Sequence, residues 1–238
     1  MTNKITNNLF EFWSYVGKQN NIYSDYLNYK AVLVLGSDWP NRIYCIKDSI
    51  EIYDEIIELC NQNLLPNIIT LDTNTGLLNP EKTQLLFTQT NMSLDLKHYA
   101  NKISKTSNIF QIETKADAIA FANIASQSFG YSVDSEIVYN ICKESCARLY
   151  IFKENGKGVG CGLVFFDNDN TAGFHMIGTI PGERRKGIGK SITERLIEEA
   201  KINNSRCCIL NASIMGEPIY ERLGFTKFGV LENYSILK

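Results

Sequence analysis

Arg184-Arg185-Lys186-Gly187-Ile188-Gly189-Lys190-Ser191 is the stretch whose reading decides the fold of this chain. It follows the apolar run 174–180 and opens an amphipathic segment at 188–200. That order predicts a strand, a glycine turn and a helix start. The first backbone N–H groups of a helix have no internal partner, and the positive end of the macrodipole lies behind them. Gly187 and Gly189 lack a Cβ, so a bulky anion can approach the main chain closely. Arg184, Arg185, Lys186 and Lys190 add positive charge around the turn, and Ile188 and Ser191 complete it. The stretch reads as a pyrophosphate cradle.

The spacing narrows the choice of pyrophosphate. A dinucleotide fingerprint needs G-x-G-x-x-G and a P-loop needs G-x-x-x-x-G-K-[ST]. Gly187-Ile188-Gly189 has no third glycine, and Gly182 is not at P-loop spacing from Gly189. What stands here is Arg184-x-x-Gly187-x-Gly189. A second pattern lies downstream, Ser213-Ile214-Met215-Gly216-Glu217-Pro218-Ile219-Tyr220-Glu221-Arg222-Leu223-Gly224-Phe225. Together the two resemble the GNAT superfamily of N-acetyltransferases. Its coenzyme A signature is Q/R-x-x-G-x-G/A, and its closing motif is N-x-x-A-x-x-L-Y-x-x-x-G-F. Tyr220, Gly224 and Phe225 match the closing motif outright. Ile219 replaces its leucine, Gly216 its alanine and Ser213 its asparagine.

The resemblance implies acetyl-CoA as co-substrate and a primary amine as acceptor, either a small molecule or a peptide. Arg184 to Ser191 would hold the pyrophosphate. The main chain of Ile177, Gly178, Thr179 and Ile180 would bond the pantetheine arm, with the Ser213 hydroxyl on one of its amides. Tyr220 would be the general acid toward the coenzyme A sulfur, since a phenol with a reference pKa near 10 is protonated at neutral pH. An N–H near Ile177 to Thr179 would meet the developing oxyanion. The base is open. The stretch Phe174-His175-Met176-Ile177-Gly178-Thr179 has no carboxylate, and His175 is its only group with a near-neutral reference pKa. Strand alternation puts His175 on the face of Ile177 and Thr179. A packed histidine, with deprotonation through water, fits the sequence equally.

The surrounding elements give an independent test. A short strand is expected at 110–112, a helix at 115–128 capped by Thr114, and a helix from Asp134 or Ser135 through 146. Strands follow at 148–152, 159–166 and up to 180, then the helix after the turn. A strand at 207–210, a helix at 217–223 and an extended segment at 225–237 close the chain. This β-α-α-β-β-β-α-β-α-β order is the one the family shows. The expected fold is α/β, with a mixed, mostly antiparallel GNAT-type sheet and flanking helices. The domain is placed at 108–238, with an N-terminal α/β lobe at 1–107 and the join in the polar stretch 97–108.

That lobe reads as a helix at 9–16, strands at 31–35, 68–71 and 85–87, a turn at 38–41, and a helix at 50–60 with Ile50, Tyr53, Ile56, Ile57 and Cys60 inward. It has no counterpart of the Arg184 motif. A divergent, half-length GNAT-like copy is one reading; the expected role is a lobe without cofactor that shapes the acceptor pocket and covers hydrophobic surface.

Composition limits the alternatives. The 238 residues have a formal net charge of −2, which argues against a nucleic-acid surface. No apolar run reaches the roughly 20 residues that cross a bilayer, and Met1 opens no signal-peptide pattern. Seven cysteines and two histidines, His98 and His175, show no convincing zinc spacing, so no metal is expected. Reduced thiols in a cytoplasmic protein are the expectation. The alternatives are a non-catalytic acetyl-CoA sensor, independent of Tyr220, or a regulatory module holding another phosphate ligand on the same turn. Oligomeric state is not legible.

Overall fold

Caps and periodicity place most helices where the sequence puts them. A computed structural model describes residues 1–72, 76–99 and 107–237. The first segment holds helix α1 (Thr2–Gln19), strands β1 (Tyr23–Asp25), β2 (Lys30–Val32) and β3 (Arg42–Tyr44), and helix α2 (Ile50–Asn61). Strands β4 (Ile68–Leu71) and β5 (Thr83–Asp95) follow. Of the expected join at 97–108, residues 100–106 lie outside the described residues. Next come β6 (Ile109–Gln111), helices α3 (Lys115–Phe129) and α4 (Ser135–Ile141), and strands β7 (Ala147–Glu154), β8 (Lys157–Phe166) and β9 (Ala172–Thr179). Helix α5 (Ile188–Ile202), β10 (Cys207–Ala212), helix α6 (Glu217–Arg222) and β11 (Thr226–Ile236) complete the order.

Thr114 starts α3 with a full capping box, its hydroxyl accepting from Asp117 N while the Asp117 carboxylate accepts from Thr114 N. Gly130, at φ +78°, ends the helix. Asp134 caps α4, but that helix stops at Ile141 and not at 146. The chain must turn there, because Ala147 already pairs with Phe165 in the sheet and Phe166 N donates to Cys146 O. Ile50 is also corrected: it sits in the first turn of α2 and is exposed, while Tyr53, Ile56, Ile57 and Cys60 are buried as expected. Of the seven cysteines, Cys60, Cys161, Cys207 and Cys208 are buried; Cys45 is exposed, and Cys142 and Cys146 are half-buried.

The strands form one sheet in the order β1-β2-β3-β4-β11-β5-β10-β9-β8-β7-β6. Only the β3–β4 and β9–β10 pairs are parallel, so the sheet is mixed and mostly antiparallel. Strand β5 comes from the first segment yet lies between β10 and β11 of the second. Strand β11 in turn reaches back to β4. The two segments therefore share their backbone hydrogen bonds. Strand β5 is 13 residues long, where the apolar pattern shows only its first third. Its second part is polar, and its amides are used across the sheet. Asn211 Nδ2 donates to Asn91 Oδ1 at 2.6 Å and Gln89 Nε2 to Asn211 O at 3.3 Å; between β4 and β11, Thr70 Oγ1 donates to Asn233 Oδ1 at 2.8 Å.

Helix α1 is 18 residues long and ties the first segment to the second. Phe12 meets Phe165 at 5.4 Å, and Val16 and Leu9 join the same core as Ile192 and Leu196 of α5. A fully buried ring such as Phe12 contributes about 2–3 kcal/mol of burial free energy. Asn8 Nδ2 donates to Asp167 Oδ2 at 2.9 Å and to Thr171 O at 3.3 Å, which fastens α1 to the β8–β9 turn. Helices α3 and α5 lie on opposite faces: a Cβ at Gly158 would meet Ile124, and one at Gly160 would meet Ile188 and Ile192.

Candidate active site

Strands β9 and β10 pair only at Cys208–Ala172, Ile209–Gly173 and Leu210–Phe174. Beyond Phe174 they part, so β9 has an unpaired edge from 175 to 179 on the β10 side. The other edge of β9 carries a bulge. His175 pairs with Leu163, but Gly178 pairs with Cys161, so three steps on β9 answer two on β8. Met176 takes up the extra residue at φ +53°.

The bulge reverses the side-chain alternation, and this corrects the expectation for His175. Its Nε2 lies 3.2 Å from Asn8 Oδ1, and its ring stacks on Phe12 at 4.3 Å with 8° between the planes. It faces α1. Ile177 lies on the opposite face, beside Gly162 and Ile192, and Thr179 approaches Gly189. Gly178 faces Ser128 and Phe129 of α3. His175 is thus separated from the splayed edge and packed as a neutral core group.

Burial pushes the His175 pKa down to about 3. The unfolded chain gains this proton near pH 6.5, and the folded protein only near the lowered value. Stability present above pH 6.5 is therefore lost as pH falls towards 3. The loss at pH 5 is about 2 kcal/mol. His175→Gln is expected to flatten this acid limb in urea unfolding at pH 7 and pH 5. A variant that loses as much stability as wild type would assign the acid sensitivity elsewhere.

After β9, Ile180 N donates to Val159 O at 3.1 Å and a short 3₁₀ turn, Pro181–Glu183, leads into the glycine turn. Arg185 has φ +66° and Gly187 φ +81°. Gly187 is the N-cap of α5 and offers no side-chain cap. The first helical bond is Ser191 N to Gly187 O, so the N–H groups of Ile188, Gly189 and Lys190 have no partner among the described residues. A Cβ at Gly187 would meet nothing within 4 Å, which leaves an open shelf over those donors. The cations around it are less free than their sequence suggests. Arg184 donates from Nη2 to Ser128 O at 2.9 Å and from Nε to Thr179 O at 3.3 Å, latching α3 to the end of β9. Lys186 pairs with Glu183 at 2.6 Å and Lys190 with Glu194 at 3.6 Å. Arg185 has no ion pair among the described residues.

On the β10 side, Ser213 opens α6: its Oγ accepts from Gly216 N at 3.2 Å and its carbonyl from Glu217 N at 3.0 Å. Tyr220 is buried, with its ring at 5.9 Å and 61° to Phe225, which meets Phe174 at 6.2 Å. Its hydroxyl makes no hydrogen bond among the described residues, and burial alone raises its pKa well above the ordinary phenol value. Gly216 leaves room for this ring: a Cβ there would stand 3.0 Å from Tyr220 Cε2 and 3.5 Å from its Oη. The two motifs meet where Ile219 Cδ1 comes within 3.6 Å of the Cβ position of Gly189. Helix α6 thereby seats Tyr220 beside the N-terminus of α5. The contributions of Ser128, Phe129 and α1 to this region carried no sequence signal, since they depend on strand register and not on spacing.

Residues 145–227 match the family described as Acetyltransferase (GNAT) domain. No curated protein sequence matches the chain. Among solved structures, a GCN5-related N-acetyltransferase from Kribbella flavida is similar, with a TM-score of 0.65 and 12% identity over 94% of each chain. A protein from Novosphingobium aromaticivorans DSM 12444 assigned to the GNAT family has a TM-score of 0.62 and 11% identity, over 95% of this chain and 96% of the other. A functionally unknown conserved protein from Staphylococcus epidermidis ATCC 12228 reaches 0.58 at 12% identity, over 90% and 93%. At such identities the likeness is one of fold, and it extends through the N-terminal segment as well. Residues 145–227 therefore match a GNAT acetyltransferase domain, and the chain as a whole shares the fold of these solved structures.

Proposed function

We propose that the protein transfers an acetyl group from acetyl-CoA to a primary amine by direct attack in a ternary complex. The observation that supports this reading is the contact of Ile219 with the Gly189 position, which brings α6, the helix of Tyr220, against the N-terminus of α5. The shelf fits a pyrophosphate: its donors are unpartnered, and Gly187 leaves the space above them empty. The residues that would hold acetyl-CoA are the main chain of Arg185 to Ser191, the free edge of β9 at Ile177 to Thr179, and the Ser213 hydroxyl. Acetyl-CoA supplies the activated acyl carbon.

The chain supplies position and a proton. Arg184 fixes the end of β9 against α3, and so fixes the edge along which the pantetheine arm would lie. Tyr220, kept protonated by burial, would give its proton to the departing sulfur as the C–S bond breaks and the C–N bond forms. The amine would lose its proton to water, as no carboxylate or accessible imidazole stands on 174–179.

Calorimetric titration with acetyl-CoA, with ATP and NAD as controls, tests the reading. Micromolar binding of acetyl-CoA alone, followed by thiol release with amines, is the expected result. Binding without turnover on any amine would favour a sensor, and no binding by folded protein would end both readings.

A further inference from the structure

Arg42 is the charged side chain that the site above leaves unexplained. It lies on β3, and its guanidinium stands 5.9 Å from the Trp13 ring of α1. Nη1 donates to Asn41 O at 2.6 Å. Nε is sealed from solvent and has no hydrogen-bond partner. No carboxylate among the described residues pairs with it, and burial lowers its pKa from the usual guanidinium value. A guanidinium stays ionised throughout the physiological range, and a buried charge without a counter-ion is costly. Stacking on Trp13 offsets only part of that cost. The residue as a whole is only partly covered, so part of the side chain stays open to solvent.

Its place is informative. Tyr131 follows α3 in the turn that leads to α4. Tyr131 stacks on Phe129 at 5.5 Å, and the Phe129 Cζ is 3.1 Å from the Cβ position of Gly178. The aromatic pair Tyr131 and Phe129 thus runs from the α3–α4 turn to β9 at Gly178. A clamp holds this geometry. Ser132 N and Oγ donate to Asp38 Oδ2, each at 2.7 Å, and Asp38 N and Trp39 N donate to Ser132 O at 3.1 and 3.2 Å. The loop before Arg42 and the α3–α4 turn are therefore one unit.

We infer that Arg42 is the anion-binding point of the acceptor site, and that the acceptor amine carries a carboxylate. The inference rests on the acetyl-transfer reading. A single guanidinium, with one arm already used on Asn41 O, matches a monoanion in bidentate contact better than a phosphate dianion. The first segment then has a role beyond packing: it supplies the group that selects the substrate.

The test uses the full chain with L-amino acids, their carboxamides and O-phosphoethanolamine. Thiol release and tryptophan emission, measured in a Trp39→Phe background so that it reports on Trp13 beside Arg42, are the two readouts. Wild type is expected to favour acids over amides by at least about tenfold in kcat/KM, mainly through KM. Arg42→Met should bring the ratio near one with acetyl-CoA affinity intact, and Arg42→Lys should fall between. Equal use of acids and amides, no response to any carboxylate, discrimination by the phosphate alone, or an unchanged ratio in Arg42→Met would overturn it. If Arg42→Met fails to bind acetyl-CoA, the wild-type ratio and Arg42→Lys decide. Arg42-dependent emission changes with carboxylates, without any acetyl-CoA binding, would sink the transferase reading and leave the anion site standing.

Discussion

Tyr220→Phe is expected to slow acetyl transfer by about 100-fold or more while leaving acetyl-CoA affinity nearly unchanged, the size typical of a lost general acid. The substitution is clean because the Tyr220 hydroxyl has no hydrogen-bond partner to orphan among the described residues, and the ring keeps its contact with Phe225. Thermal stability should move little, since removing an unpaired polar atom from a buried site leaves no donor or acceptor behind. Burial also makes a statement about pH. The phenol is raised above its ordinary value, so no alkaline fall in kcat below about pH 10 belongs to Tyr220. Steady-state kinetics beside calorimetric binding decide the matter. Equal kcat in variant and wild type would remove Tyr220 from the chemistry and return it to the core.

Gly187→Asn is expected to weaken acetyl-CoA binding by at least about tenfold, equivalent to about 1.4 kcal/mol, with a much smaller effect on folding. Asparagine is chosen because Gly187 has φ +81°, a region that asparagine tolerates and branched residues do not. The new side chain meets no protein atom near its Cβ, so the fold has room for it. That room is the space in which a pyrophosphate would approach the N–H groups of Ile188 to Lys190. Affinity and melting temperature measured on one preparation separate the two effects. Unchanged affinity in a folded variant would mean that the phosphates do not use this shelf.

Much of this was legible before any coordinates. Local signals wrote the helix starts at Thr114 and Asp134, the order of the elements after residue 108, and the two motifs at 184–191 and 213–225. These depend on neighbours a few residues apart, and a linear pattern carries them faithfully. Two features of the site do not have that character. His175 left the cleft because one extra residue at Met176 reversed every side chain after it, and a bulge has no periodic signature. Arg184 became a latch, since the carbonyls of Ser128 and Thr179 come together only in the fold.

Strand β5 shows the same limit on a larger scale. Its polar half, from Thr88 to Ser93, has no apolar alternation, yet it fills the slot between β10 and β11 because both offer unpaired edges there. The sequence by itself determined the order of the elements after residue 108 and the two motifs, at 184–191 and 213–225, that resemble the GNAT signatures. Only the tertiary structure decided which face each side chain serves and that the loop before Arg42 is joined to the α3–α4 turn, because register and strand exchange are set by pairing between residues far apart in the chain.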